Sequence, residues 1–433
     1  MINSKPKLVA LGWHAPGTGF GRVMQEILRA LSTEWEVHHV GIGYQGPRVD
    51  DAWTLYPTNL QGGDVFGAFE AQRVIGEVRP DCVFILHDIW MMQYYFEVND
   101  PASLHCPVVV YFPLDGRVTD DALIAPLAKA THVATYTPGA ASQIDTGLRR
   151  LGLSSAPAVS VVPHGVDLRA FHPLFAPDNL SSQAALKREV FGALPDIESS
   201  FIVLNASRPA RRKCLDVTLR AFATFVADKP DNVRLCLHHA ITTDEHARNL
   251  RDLAAALGIS DRIIWNPLSR DSGPLTDAEL NRLYNACDVG LNTSSGEGWG
   301  LVSFEHAATR RAQIVPRHSA CEELWEGAAI FIDAAWRGVP DYSLLEMTEV
   351  SPDSAAAGLE TLYRDRSHRD KLALKGEALA RRPDWEWTSV GAQWCLLFRQ
   401  MLAHSIGAKA ASPPVAPPKD EAVPKSTALS QRL

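Results

Sequence analysis

Asn292-Thr293-Ser294-Ser295-Gly296-Glu297-Gly298-Trp299-Gly300-Leu301-Val302-Ser303-Phe304-Glu305 is the stretch on which the reading of this chain turns. It follows the short apolar run Val289–Asn292 and enters a segment of helical period, so it reads as a glycine-rich turn at the C-terminal edge of a parallel sheet, where open α/β sheets bind ligands. Glycines at 296, 298 and 300 let backbone N–H groups approach an anion, and the helix that follows aims its positive end at the same place. Glu297 in the loop and Glu305 about one and a half turns into the helix add two carboxylates beside this phosphate cradle. A carboxylate repels phosphate but accepts hydrogen bonds from sugar hydroxyls, so the combination reads as a nucleotide-sugar site.

Working outward, Asn205-Ala206-Ser207-Arg208-Pro209-Ala210-Arg211-Arg212-Lys213 is a basic cluster after another strand, suited to neutralising a diphosphate. Near the start, Leu8–Leu11 is followed by Pro16-Gly17-Thr18-Gly19-Phe20-Gly21-Arg22, a dinucleotide-type glycine loop that fails at its last position, where Arg22 stands. Between these landmarks short β-branched runs alternate with helical segments, the pattern of repeated βαβ units. The strands expected in the first series are Leu8–Leu11, Val37–Ile42, Cys82–Leu86, Val108–Phe112, Val133–Thr135 and Val159–Val162. In the second they are Phe201–Leu204, Val233–Leu237, Arg262–Trp265, Val289–Asn292, Gln313–Val315 and Ala329–Ile332. A polar, proline-containing stretch up to about Asp178 reads as a linker. The expected organisation is a Rossmann-like domain over 1–170, a second over 171–383, a crossover helix over 384–406 and a disordered Pro/Ala-rich tail over 407–433.

The 433 residues exceed the size of one hydrophobic core, and 46% hydrophobic residues furnish material for two. A net charge of −8 argues against nucleic-acid binding. Seven scattered cysteines without a Cys-x-x-Cys pair argue against a disulfide framework or a structural zinc, and fit a cytoplasmic location. The apolar run Leu8–Leu11 reads as too short for a secretory leader and no run of about 18 apolar residues is seen, so neither export nor a membrane-spanning helix is expected, while peripheral membrane contact stays open.

Taken together, these residues resemble the retaining GT-B-fold glycosyltransferases, in particular glycosyltransferase family 4, related to glycogen and sucrose synthases. The likeness lies in the Glu-x7-Glu pair Glu297 and Glu305, the Arg208…Lys213 pair, the Gly17–Gly21 loop, Val161-Val162-Pro163-His164-Gly165-Val166-Asp167, the segment Asn281–Gly290 and Trp385-Glu386-Trp387. The resemblance implies two Rossmann-like domains facing a central cleft, with a C-terminal helix returning to the first. It implies transfer of a hexose from a UDP-glucose or GDP-mannose type donor to a small-molecule, glycan or lipid-linked acceptor. On the same basis Glu305 binds ribose hydroxyls, Glu297 holds hydroxyls of the transferred sugar, and Arg208 and Lys213 stabilise the leaving diphosphate. Gly17, Gly19, Gly298, Trp299, Gly300, Leu301 and Val302 complete the donor site, and the acceptor lies on the first domain. Neither metal nor cofactor is expected, since family members usually need none and the chain has no Asp-x-Asp pair.

The chain departs from this pattern where many relatives carry a histidine, reading Phe112-Pro113-Leu114-Asp115-Gly116. Asp115 is the candidate to take that place, against the reading of an ordinary Asp-Gly turn. His87, followed by Asp88 at another sheet edge, is the candidate to meet the acceptor, against the reading of a structural histidine. Arg310 and Arg311 stand where relatives often have glycine and an apolar residue, and His164 and His306 are expected to orient backbone. The competing functions are a catalytically inactive GT-B nucleotide-sugar-binding or partner subunit and a nucleotide-sugar epimerase.

Overall fold

The computed structural model describes residues 5–15, 17–153, 155–176, 179–238, 244–268 and 275–411, with the side chains of 244–247 and 404–411 excepted. Pro16 of the glycine loop, Asp178 at the end of the expected linker and residues 412–433 of the expected tail lie outside the described residues.

The first sheet is built from β1 (Lys7–Trp13), β2 (Glu36–Ile42), β3 (Val49–Asp50), β4 (Thr54–Pro57), β5 (Cys82–Leu86), β6 (Val108–Phe112), β7 (His132–Thr135) and β8 (Ala158–Val161). Its order is β3-β4-β2-β1-β5-β6-β7-β8, parallel throughout except for the short β3. The second comprises β9 (Phe201–Asn205), β10 (Val233–Leu237), β11 (Ile263–Trp265), β12 (Val289–Leu291), β13 (Ala312–Pro316) and β14 (Ile330–Ile332) in the order β11-β10-β9-β12-β13-β14, all parallel. Strands such as β5, β6 and β10 are buried at every residue, because helices cover both faces of a parallel sheet.

The strand order fixes where a ligand can sit. In the first sheet the chain winds one way from β1 and returns to start again at β5; in the second it does the same at β9 and β12. Each reversal opens a crevice beyond the strand ends. The loops flanking the two crevices are those after β1 and β5 and those after β9 and β12, which hold the glycine loop, His87-Asp88, the basic cluster and the Glu297 loop.

Two elements were not expected from the sequence. Residues read as linker dock on the helix Asp277–Ala286: Asn281 accepts from His172 N–H (3.1 Å), and Asn285 accepts from Leu174 N–H (2.9 Å) and donates to His172 O (3.0 Å). An antiparallel hairpin, β15 (Ala334–Gly338) and β16 (Met347–Val350), leaves the second sheet and reaches the first domain, where Arg117 and Glu346 exchange backbone hydrogen bonds of 2.9 Å. The last helix, Trp387–Ala411, extends through the first residues of the expected tail and crosses back to the first domain. Trp394 packs on Phe84 and Tyr111, and Phe398 on Trp35, while Trp385 packs on Trp299 and Phe304 of the second domain. Among the described residues no helix is long and apolar enough to cross a membrane. All seven cysteines are free.

Candidate active site

The loops after β9 and β12 are bound to each other. Thr293 Oγ1 donates to Cys214 O (3.0 Å), and Ser295 N–H donates to Arg212 O (2.7 Å), so the basic cluster and the Glu297 loop form one rigid floor. On that floor Lys213 pairs with Glu297, which is 5% exposed. Glu297 also accepts from Ser294 Oγ (2.8 Å) and Asn292 Nδ2 (3.2 Å), and Arg212 lies 3.6 Å away. Burial by itself would raise the carboxyl's pKa, but Lys213 and Arg212 outweigh it and hold the group at about 2. Glu297 is therefore an acceptor of hydrogen bonds at working pH and no proton donor.

Burial, and Arg212 beside it, push the Lys213 ammonium below its usual range, while Glu297 pulls the other way. Arg212 also reaches across the cleft to Asp115 (3.3 Å) and donates to Gly296 O (2.9 Å). The Arg208 guanidinium has no ion-pair or hydrogen-bond partner among the described residues; the residue is exposed and feels Arg212, Asp88, Asp115 and Glu297 electrostatically.

The glycines of the Glu297 loop have a further reason beyond anion binding. A Cβ on Gly296 would collide with Asp115 O and Met347, and one on Gly298 with Pro113, so the first domain can close on this loop only because both are glycine. Gly300, at φ +92, opens the helix Leu301–Ala308 that carries Glu305. Glu305 is buried, accepts from Tyr284 OH (3.3 Å) and faces Arg22 Nε at 3.5 Å. Burial raises its pKa against the pull of Arg22. The residue that spoils the glycine fingerprint is thus a cross-cleft cation, bound also to Asp277 (2.6 Å). Thr18 caps the helix Gly19–Leu31, accepting from Gly21 N–H (3.1 Å). Gly17 takes φ +76, and Gly19 faces Leu301 across the cleft.

The site residues read from the sequence thus fall on two facing rims. Glu297, Lys213 and Arg208 lie together, Asp115 comes to them from the first domain, and Glu305 sits with Arg22 further along. Leu301 and Val302 are part-exposed at the helix start, whereas the Trp299 side chain turns inward between His164 and Trp385. His87 is 4% exposed, ringed by Trp13, Phe20, Phe66 and Tyr95, with its Nε2 accepting from the Trp13 indole (3.1 Å). Burial lowers its pKa to about 3, which fits a neutral structural ring better than a group meeting an acceptor. His306 binds Gln313 (3.1 Å), and His164 packs at a tilt against Tyr136. Arg310 pairs with Glu377, and Arg311 donates to Asn285 O (2.7 Å), which accounts for both at the turn before β13.

From the sequence alone Arg212 and Arg22 have no role of their own, and Asp88 none apart from its place beside His87 at a sheet edge. All three stand within quoted motifs, and the facing domain supplies the ion-pair partners of Arg22 and, through Asp115, one of those of Arg212. Burial and the neighbouring Asp115 raise the Asp88 carboxyl to about 7, against Arg212 and Arg208. The folded state then holds a proton that the unfolded chain, near 3.8, releases. Stability from this group falls as pH rises from about 4 to about 7 and stays lower above that. Asp88→Asn is expected to leave stability at pH 4 nearly unchanged and to add on the order of 1 kcal/mol or more at pH 8, as read by denaturant melts. An equal effect at both pH values would contradict the assignment.

Two doubly wound sheets facing a cleft, with a last helix crossing back, define the GT-B fold. The chain resembles sucrose-phosphate synthase from Thermosynechococcus elongatus with a TM-score of 0.70 at 15% identity, covering 93% of this chain and 100% of that one. It resembles HepE of Anabaena, solved in complex with UDP-glucose, with a TM-score of 0.65 at 15% identity, covering 91% and 100%. In sequence it is similar to D-inositol 3-phosphate glycosyltransferases. It is 27% identical to that of Kineococcus radiotolerans over 260 residues, 59% of this chain and 54% of the relative. To that of Salinispora tropica it is 34% identical over 240 residues, 51% and 46%. The chain spans about half the length of the curated relatives it matches. No family model matches it.

Proposed function

We propose that the chain is a retaining glycosyltransferase that moves a hexose from a nucleotide diphosphate sugar, of the UDP-glucose or GDP-mannose type, to a hydroxyl acceptor without a metal ion. The observation that carries the reading is Arg208, an unpaired guanidinium beside the Lys213–Glu297 pair at the crevice between β9 and β12. A cation left free among paired ones is a place for an anion that is not part of the chain. Similarity to glycosyltransferases and to a structure with UDP-glucose supports the same reading.

In this account the bond from the anomeric carbon to the diphosphate oxygen breaks and its electron pair stays with the diphosphate. Arg208 and Lys213 stabilise that charge. The acceptor oxygen bonds to the same face of the anomeric carbon, and its proton passes to the diphosphate. Glu297, held ionised, accepts from sugar hydroxyls; Glu305 accepts from the ribose once Arg22 yields; Asp115 closes the site from the first domain. The acceptor enters by the cleft of about 1050 Å³ that runs between the two domains and ends at Asp115 and Ser295.

A thermal-shift panel of UDP-, GDP-, ADP- and TDP-sugars tests the proposal, because a ligand at 100 times its Kd stabilises by about 2.7 kcal/mol. One nucleotide series is expected to shift the melting temperature, and no shift with any would contradict the reading. A chelator is expected to leave turnover within about twofold, since fixed cations supply the leaving-group charge. Loss of activity restored by a divalent cation would show that the metal-independent mechanism is wrong.

A further inference from the structure

Two side chains beside Glu297 have no part in the transfer described above. His318 and Ser319 follow β13 and line the cleft. Ser319 opens the short helix Ser319–Leu324 at φ +45, a left-handed conformation that a glycine enters freely and a residue with a Cβ only at a cost. A serine held in that conformation points to a use for its hydroxyl.

The hydrogen bonds around it show one. His318 is 6% exposed, and its Nε2 stands 2.9 Å from Ser294 O. A carbonyl oxygen can only accept, so Nε2 carries a proton. Burial lowers the pKa of the ring to about 4, which leaves the other nitrogen bare at neutral pH. His318 Nδ1 therefore accepts from the Ser319 hydroxyl at 2.9 Å. With its hydrogen engaged there, Ser319 Oγ turns lone pairs the other way and accepts from Glu297 N–H at 3.2 Å. Ala320 N–H meets Glu297 O, also at 3.2 Å, so the loop after β13 holds the main chain of Glu297 on both sides. Ser294, whose carbonyl His318 fixes, donates in turn to the Glu297 carboxylate (2.8 Å). One imidazole thus reaches Glu297 by two routes, through Ser319 to its backbone and through Ser294 to its side chain.

The ion pair with Lys213 could not do this alone. An ammonium on a flexible four-carbon stem neutralises a carboxylate without fixing where it sits, whereas hydrogen bonds to the hydroxyls of a sugar require placement to about 0.5 Å. We propose that His318 and Ser319 are positioning residues that set Glu297 against the sugar of the donor. This rests on the reading of Glu297 as the group that holds the transferred sugar.

Calorimetric titrations of the whole chain test it by comparing UDP with UDP-glucose, GDP with GDP-mannose, ADP with ADP-glucose and TDP with TDP-glucose. The ratio of the two dissociation constants, for the pair that binds, isolates what the sugar contributes. Ser319→Gly relieves the backbone and deletes the hydroxyl. It is expected to keep the wild-type melting temperature, to hold nucleoside diphosphate affinity within about twofold, and to shift the ratio against the sugar by about fivefold or more. Ser319→Thr restores the hydroxyl but places a β-branched residue at positive φ, so it is expected to melt lower and yet return the ratio to within about twofold of wild type. A merely structural serine would give the reverse, with the ratio following the melting temperature. His318→Gln keeps a donor for Ser294 O and loses the acceptor for Ser319; added to Ser319→Gly it is expected to shift the ratio little further, as for two residues acting on one path. An unchanged ratio in Ser319→Gly, or fully additive shifts in the double variant, overturns the proposal. If no nucleoside diphosphate binds the wild type, the glycosyltransferase reading falls and the positioning role with it. If one binds and Glu297→Gln shifts the ratio while Ser319→Gly does not, only the positioning role falls.

Discussion

Lys213→Ala is expected to lower turnover by about two orders of magnitude or more, as for loss of one preorganised donor aimed at developing negative charge. The ammonium sits at the floor of the cleft, desolvated, and touches Glu297 on one side. Its removal also leaves Glu297 with Arg212 as the remaining cation, 3.6 Å away. Breaking a buried pair of this kind costs on the order of 3–5 kcal/mol, so the variant should melt at a lower temperature as well. Lys213→Arg separates the two effects: it restores a cation beside Glu297 and is expected to recover stability, but to recover turnover only in part, because a planar guanidinium cannot occupy the place of a point charge. Turnover unchanged in Lys213→Ala would remove the residue from the chemistry.

The second large effect divides the two glutamates. Glu305→Gln is expected to weaken nucleotide binding by roughly 10- to 100-fold, the value of hydrogen bonds from ribose hydroxyls to a charged acceptor. Glu297→Gln should leave nucleotide affinity within a few fold while transfer all but disappears, because the role proposed for Glu297, beside Lys213, is to hold the transferred sugar and not the nucleoside. The geometry gives the split a physical basis: Glu305 is bound by Tyr284 and Arg22 at one end of the site, Glu297 by Lys213, Ser294 and Asn292 at the other. Calorimetric titration with the nucleoside diphosphate, run beside kinetic assays, reads both quantities. Equal losses of affinity in the two variants would contradict the division.

What the sequence disclosed and what it withheld follow from the same physics. Parallel strands covered on both faces are continuous apolar runs, so β5, β6, β10 and β13 stand out unaided, and the loops at the strand ends follow from them. The hairpin β15–β16 could not be read that way. Ala334–Gly338 is largely exposed, has no apolar alternation, and is held by pairing with β16 and by the junction of Glu346 with Arg117, some 230 residues away in the chain. Docking of 172–174 depends likewise on amides from Asn281 and Asn285 that no local pattern announces.

The residues with a local signature, glycines 296, 298 and 300, the two glutamates and the basic run, come to the crevice between β9 and β12 and its rim. Arg22 looked like a flaw in a fingerprint because that fingerprint describes one domain, whereas the partners of Arg22, Glu305 and Asp277, belong to the other. Arg212 was indistinguishable from its neighbours Arg211 and Lys213 until the fold turned it toward Asp115 while Arg211 pairs outward with Asp341. His87 illustrates the converse. Its place at a sheet edge suggested contact with a ligand, but the four rings around it are side chains from β1, the helix Gly19–Leu31, residue 66 and residue 95, which sequence adjacency does not reveal.

Diphosphate binding by the unpaired Arg208 guanidinium is the step on which the proposed transfer depends. Calorimetric titration of the wild-type chain and Arg208→Ala with UDP, GDP, ADP and TDP measures it, and because Arg208 is exposed and binds no other side chain described here, the variant should keep the wild-type melting temperature. One nucleoside diphosphate is expected to bind the wild type and to bind the variant about tenfold or more weakly, as for loss of a charge-assisted bond. Equal affinity for the two proteins, or no binding to the wild type at all, would contradict it.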